Sequence, residues 1–331
     1  MSGAVAVIGG GAWGTALAQM LASDGREVLL WARESEVVAD INANHCNAAF
    51  LPAAKLANSI RATDSIGDLA GIPVVLVVTP AQHTGAVLAT LPAAPRDLVL
   101  CSKGIEQSTG RLMNDVAADA CPQSDIAILS GPTFAHEVAA GLPTAVTLAC
   151  AGGEAQWKRL KPVIARPAFR PYFSADVAGA EVGGAVKNVL AIACGVVDGL
   201  GLGQNARAAL IARGYAEMLR FGENLGAQAE TLAGLCGLGD LVLTCSSTSS
   251  RNFSIGKALG QGQSSVDLMA DRTTVAEGAH TAPVLAELAR TRGIDMPIVD
   301  AVNALLGGEP ARDVVQQLLA RPLRAEREAG A

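Results

Sequence analysis

The sequence predicts an α/β fold in two parts: a sheet domain over residues 1–178 and a mostly α-helical domain over residues 179–331. Three observations predict it. In the first half, short and nearly continuous apolar runs alternate with segments of helical spacing, the pattern of a parallel sheet covered on both faces. After about Ala178 that alternation stops and helical periods continue to the end. Half of the 331 residues are hydrophobic and 17% are charged, enough apolar mass for two packed cores. With aromatics at 3%, those cores must be built from Ala, Val, Leu and Ile.

The predicted strands are Ala4–Ile8, Glu27–Trp31, Val74–Val78, Leu98–Ser102, Ile126–Leu129, Thr144–Ala149 and Phe169–Phe173, with the pairing and order of the later ones left open. Helical spacing covers Thr15–Ala22 and Arg111–Ala120 between them. In the second half it covers Ala180–Val197, Ala206–Leu225, Ser250–Leu259, Ala282–Arg290 and Val299–Leu306. The tail "RPLRAEREAGA" is polar and reads as frayed.

The net charge of −6 argues against a general nucleic-acid binder and leaves room for a local anion site. "AVAVIGGG" at the start ends in glycines after a few residues and reads as a strand rather than a signal peptide. No membrane span is expected; the closest stretch begins at Val189 and is interrupted by Asp198. Seven scattered cysteines without a C-x-x-C pair read as free thiols in a reducing cytoplasm. His45, His83, His136 and His280 lack ligand spacing, so no metal is expected.

"VAVIGGGAWGTALAQML" carries G-x-G-x-x-G as Gly9, Gly11 and Gly14, after a predicted strand and at the opening of a predicted helix. That context marks a Rossmann-type dinucleotide-binding loop. Gly9 permits the tight turn, Gly11 lets the backbone approach a pyrophosphate, and Gly14 lets the helix pack on the strand. The free N–H groups of the helix start then face the phosphates. At the end of the second strand, Arg33 suits a 2′-phosphate and Glu34 suits a free ribose, so NADP and NAD both fit and the arginine tilts the reading to NADPH.

"GGAVKNVLAIACG", residues 183–195, holds one charge, Lys187. Its helical neighbours include Gly183, Gly184 and Ala191, so the helix is expected to leave a shallow notch at the amine for a flat ring or small substrate. Desolvation would lower the lysine's pKa and make it an acid/base. Lys103 follows an apolar strand, and Gly131 and Thr133 follow another, where ligands bind in open α/β sheets. Asp240 and Thr244 of "GLGDLVLTC" are expected in a polar loop, and Arg251 and Asn252 stand at a helix start that the preceding serines can cap. With the first helical N–H groups they would make an anion site.

Through "GGGAWGTALA", "NAAFLP", "SKG", "SGPTFAHEVAAGLPTA", "GGAVKN", "GLGDLVLTC", "SRN" and "VAEG", the chain resembles the bacterial NAD(P)-dependent glycerol-3-phosphate dehydrogenase family from Gly9 to Gly278. The resemblance implies interconversion of dihydroxyacetone phosphate and sn-glycerol 3-phosphate, which supplies phospholipid synthesis. It implies Lys187 as general acid/base, with Lys103, Asn188, Asp240 and Thr244 at the reacting end. Gly131, Thr133, Ser250, Arg251 and Asn252 would bind substrate, with Arg251 near both substrate and cofactor. Trp13, Arg33, Ala135, Val275 and Glu277 match dinucleotide contacts, and Phe50 lies along the same path. A homodimer through the helical domain is implied as well. The sequence departs from the family at Ala12, where serine is common and would give the pyrophosphate one more hydrogen bond, and at Ala276, where valine is common. The rival readings are a lysine-dependent β-hydroxyacid or ketopantoate-type dehydrogenase, which needs a carboxylate site instead, and a non-catalytic dinucleotide sensor.

Overall fold

The computed structural model describes residues 5–270 and 276–322. An eight-stranded sheet fills the first part: β1 (Val5–Ile8), β2 (Val28–Trp31), β3 (Ile60–Thr63), β4 (Val74–Val77), β5 (Asp97–Leu100), β6 (Asp125–Ser130), β7 (Thr144–Cys150) and β8 (Phe169–Ser174). Their order is β3-β2-β1-β4-β5-β6-β7-β8. Helices α1 (Ala12–Ala22), α2 (Ser35–Asn44), α3 (Ala81–Leu88), α4 (Met113–Ala120), α5 (Ala135–Ala139) and α6 (Gly153–Ile164) connect them. One sheet face packs under α1, α2 and α6 through Leu17, Leu21, Ile41, Leu160 and Ile164. The other packs under α3 and α4 through Leu88, Met113 and Val116.

The α/β class and the sheet-then-helix order hold, with two corrections. The sheet is mixed rather than parallel, because β6 and β7 run antiparallel. The connection between them contains only the five-residue α5. The whole connection, residues 131–143, is at the short end of what a parallel crossover uses, and it lacks the full-length helix that usually carries one. Strand β3 is also unforeseen: four residues with Arg61 exposed leave little apolar signal.

The second part is helical throughout its described residues: α7 (Val177–Gly199), α8 (Gly203–Asn224), α9 (Ala229–Leu232), a π turn over Leu235–Gly239, α10 (Asp240–Cys245), α11 (Arg251–Gly260), α12 (Ser265–Ala270), α13 (Glu277–Thr291), α14 (Pro297–Leu306) and α15 (Ala311–Leu319). Helix α7 is the axis of this core. Asp176 starts it by accepting from the Gly179 N–H at 2.8 Å, and its other oxygen accepts from Gln228 at 2.8 Å. Among the described residues α7 alone is long and apolar enough to cross a membrane, and its most apolar window is wholly buried inside the protein. Glycines bring α11 against it. A Cβ at Gly195 would lie 2.1 Å from the Phe253 carbonyl oxygen, and one at Gly256 would lie 1.9 Å from that of Ile192. This backbone contact fixes the start of α11 relative to Lys187.

Candidate active site

The ends of β5 and β6, α7 and α10 converge around one carboxylate. Asp240 is fully buried at the first position of α10. Its Oδ1 lies 2.5 Å from Lys187 Nζ and its Oδ2 lies 2.9 Å from Lys103 Nζ. Lys187 also donates to Thr244 Oγ1 at 3.1 Å, and Thr244 in turn donates to the Asp240 backbone carbonyl at 2.6 Å. Lys103 reaches from the end of β5 and donates to the Gly131 carbonyl at 3.4 Å. Two lysine amines, one buried and one half-buried, thus share a single carboxylate.

That imbalance decides the charges. Burial lowers the Lys187 amine to about 7; Asp240 opposes the shift and Lys103 reinforces it. Burial also acts downward on Lys103, but Asp240, with the Lys187 contact and Glu277, holds that ammonium above the usual lysine value. Lys103 is the more exposed of the two, its side chain at 13% against 5% for Lys187. The arrangement favours the charged form of Lys103 beside an amine that burial brings to about 7.

The glycines before Lys187 do not leave the open notch expected of them. A Cβ at Gly183 would lie 2.3 Å from the Cys236 carbonyl oxygen, so this position admits the π turn that delivers Asp240. A Cβ at Gly184 would meet Ser130 Oγ at 3.2 Å and the Lys103 stem at 3.4 Å. The clearance is used by the protein's own backbone and lysine stem. "GLGDLVLTC" is no polar loop: a π turn over Leu235–Gly239 runs straight into α10, which carries Asp240 and Thr244 buried, and the glycines that suggest a loop serve close packing instead.

Around this cluster, Asn188 is buried next to Lys187. Ser250 caps α11 by accepting from the Phe253 N–H at 3.3 Å, which leaves Arg251 exposed at the first helical position. Asn252 is buried and its Oδ1 accepts from the Gly278 N–H at 3.0 Å, which ties α11 to the start of α13. Glu277 opens α13 and is half-buried. Burial pushes its carboxyl up, against Arg251, the Ala81 N–H that donates to it, and both lysines. Thr133 Oγ1 turns back to the Gly131 carbonyl at 3.2 Å.

The glycine loop stands at the end of β1. Gly9 has φ +126°, and a Cβ there would lie 2.9 Å from the Val78 carbonyl oxygen. At Gly14 it would lie 1.9 Å from the Gly9 carbonyl, whereas Gly11 faces open space. Gly11 caps α1 without any side-chain acceptor, so the first N–H groups of the helix are free for an anion. The buried Trp13 Nε1 has no protein partner, and Ala12, Trp13 and Ala135 are half-buried against one core. These features fit a dinucleotide phosphate. Arg33 projects at the end of β2 with its side chain 77% exposed and pairs with Glu34 at 2.8 Å. Phe50 is exposed beside the loop. Val275 lies outside the described residues. No group of three His, Cys, Asp or Glu among the described residues could hold a metal. The residue that sequence reasoning missed is Asn47, buried beneath the glycine loop inside the quoted "NAAFLP".

Comparison with known proteins agrees with this geometry. Residues 4–156 match the NAD-dependent glycerol-3-phosphate dehydrogenase N-terminus and residues 176–316 match its C-terminus. The chain is 79% identical to the glycerol-3-phosphate dehydrogenase (NAD(P)+) of Erythrobacter litoralis over 100% of both chains. It is 71% identical to that of Novosphingobium aromaticivorans, over 97% of this chain and 98% of that one. The crystal structure of glycerol-3-phosphate dehydrogenase from Coxiella burnetii aligns with a TM-score of 0.91 at 39% identity, over 96% of this chain and 99% of that one. The chain belongs to the NAD-dependent glycerol-3-phosphate dehydrogenase family.

Proposed function

We propose that Lys187 moves the proton at the C2 oxygen in the NAD(P)-dependent interconversion of dihydroxyacetone phosphate and sn-glycerol 3-phosphate, the reaction of this family. The observation that carries the proposal is the buried Lys187 amine, brought to about 7 and held 2.5 Å from Asp240. When bound, the reduced nicotinamide supplies the hydride. In reduction, protonated Lys187 donates to the incipient alkoxide and is left as a neutral amine. Lys103 keeps its charge and stabilises the developing negative oxygen. Asp240 orients both amines.

Gly131, Thr133, Asn188, Ser250, Arg251 and Asn252 form the substrate side of the proposal. Arg251 is its phosphate anchor, supported by its exposed place at the start of α11. Gly9, Gly11, Ala12, Trp13 and Gly14 would hold the dinucleotide phosphates, with Arg33, Phe50, Ala135, Lys103, Arg251 and Glu277 along its length. The same proposal includes a preference for NADPH through Arg33 and a division of the chain at residues 178 and 179, which falls just inside the first turn of α7 after β8 ends at Ser174. It also includes a homodimer through the helical part and a cytoplasmic location, the latter supported by seven unpaired cysteines.

Arg251→Ala tests the substrate assignment. The KM for dihydroxyacetone phosphate should rise by about 100-fold, the scale of a lost charge-assisted pair. Turnover of dihydroxyacetone, which lacks the phosphate, should change little. Equal losses on both substrates would remove Arg251 from phosphate recognition.

A further inference from the structure

The glycine loop is held from beneath by one side chain. Asn47 is fully buried and spends every polar group of its amide. Its Nδ2 donates to the Gly10 carbonyl and to Thr15 Oγ1, both at 2.8 Å. Its Oδ1 accepts from the Phe50 N–H at 3.2 Å. Thr15 Oγ1 donates to the same Gly10 carbonyl at 3.3 Å, so that oxygen is gripped twice from the protein interior.

A trans peptide unit points its C=O and N–H in opposite directions. Gripping the Gly10 oxygen from the buried side therefore turns the Gly11 N–H outward, at the uncapped start of α1. Gly10 cannot yield by moving inward, since a Cβ there would already lie 2.5 Å from that of Ala32. The segment that carries Asn47 is fixed too. Its base is closed by the Leu56 N–H donating to the His45 carbonyl at 2.9 Å. Within it, the Leu51 N–H donates to the Asn47 carbonyl at 2.9 Å, and the Ala48 N–H donates to Asp40 on α2 at 2.9 Å.

We propose that Asn47 is a positioning residue for the nicotinamide dinucleotide: it aims the Gly11 N–H at the phosphates and, through the same amide, sets Phe50 beside them. The proposal rests on the assignment of the phosphates to the glycine loop. Asn47 does not touch the reacting atoms, so it governs cofactor affinity and leaves the chemical step alone. The loop is thereby organised before the ligand arrives, which reduces the ordering cost of binding.

Asn47→Asp keeps the size and removes both donated hydrogen bonds; Asn47→Ala removes them without adding charge. Calorimetry with NADPH and NADH should give a Kd raised by about 10- to 100-fold in both variants, as expected for two lost buried hydrogen bonds. At saturating cofactor, kcat and the KM for dihydroxyacetone phosphate should stay within about threefold of the wild type. A Kd within threefold of wild type in either folded variant overturns the proposal. So does a KM for substrate that rises in step with Kd, which would mean general loosening.

The unmutated enzyme provides a second test. Its Asn47 side-chain amide protons should be protected from hydrogen exchange without cofactor; free exchange would mean the anchor is not preformed and would overturn the proposal. Failure of the Gly11 amide resonance to shift on cofactor addition would instead count against the phosphate placement itself.

Discussion

Asp240→Asn puts the two-lysine arrangement under direct strain. The substitution keeps the shape, turns one accepting oxygen into a donating amide, and removes the negative charge held between Lys187 and Lys103, 2.5 and 2.9 Å from their amines. Among the influences on Lys187, Asp240 is the largest that raises its pKa against burial. Attraction across such a contact is several kcal/mol at an effective dielectric near 20, and rearrangement and water leave only part of it. A downward movement of at least about one pKa unit is the conservative expectation, a differential of roughly 1.4 kcal/mol. With a wild-type value of about 7, half of Lys187 is protonated at pH 7. One unit lower leaves about a tenth, so reduction at pH 7 slows about fivefold from protonation alone. The assay is kcat/KM for dihydroxyacetone phosphate between pH 5 and pH 9, followed by loss of reduced-nicotinamide absorbance. The falling limb should move from about 7 to 6 or below, and part of the lost rate should return as the pH is lowered. A limb that stays in place or moves upward would refute the charge assignment.

Two further outcomes follow from other parts of the structure. Glu217 on α8 is buried and its carboxylate accepts from Ile298 and Val299 at the start of α14, while burial raises its pKa from 4.5 to about 8. The folded state therefore binds a proton that the unfolded state releases, so this stability is present below about 4.5 and lost as the pH rises through about 8. Denaturant titrations should show wild-type stability falling across that window by a few kcal/mol more than in Glu217→Gln, with Glu181 leaving a residual slope of the same sign; parallel curves would exclude the effect. For Arg33→Ala, the KM for NADPH should rise about tenfold and that for NADH less than threefold, and equal changes would remove the 2′-phosphate argument.

How much was legible in the sequence depends on how local each feature is. The glycine loop was legible because its spacing, strand and helix lie within one short run, and Gly9, Gly11 and Gly14 have the geometry that spacing requires. Lys187 was legible as the lone charge in an apolar helix. Its partners were legible as candidates but not as a pair of cations on one carboxylate, because Lys103 and Asp240 are 137 positions apart. The glycines beside Lys187 were misread, since small residues signal close approach without saying what approaches; here it is the Cys236 backbone. The antiparallel β7 goes with a connection that lacks a full crossover helix, and β3 rests on sheet pairing that four residues with one exposed arginine do not announce. Asn47 escaped notice because a buried amide under a loop carries no periodic or compositional signal.

The central claim is that Lys187 transfers the proton at C2, and the most direct measurement is the turnover of Lys187→Ala at saturating dihydroxyacetone phosphate and cofactor, with the cofactor Kd determined on the same preparation. The account predicts a fall in kcat of at least about 100-fold, or roughly 2.7 kcal/mol in the barrier, with the Kd unchanged. Near-normal turnover in a variant that still binds cofactor would contradict it.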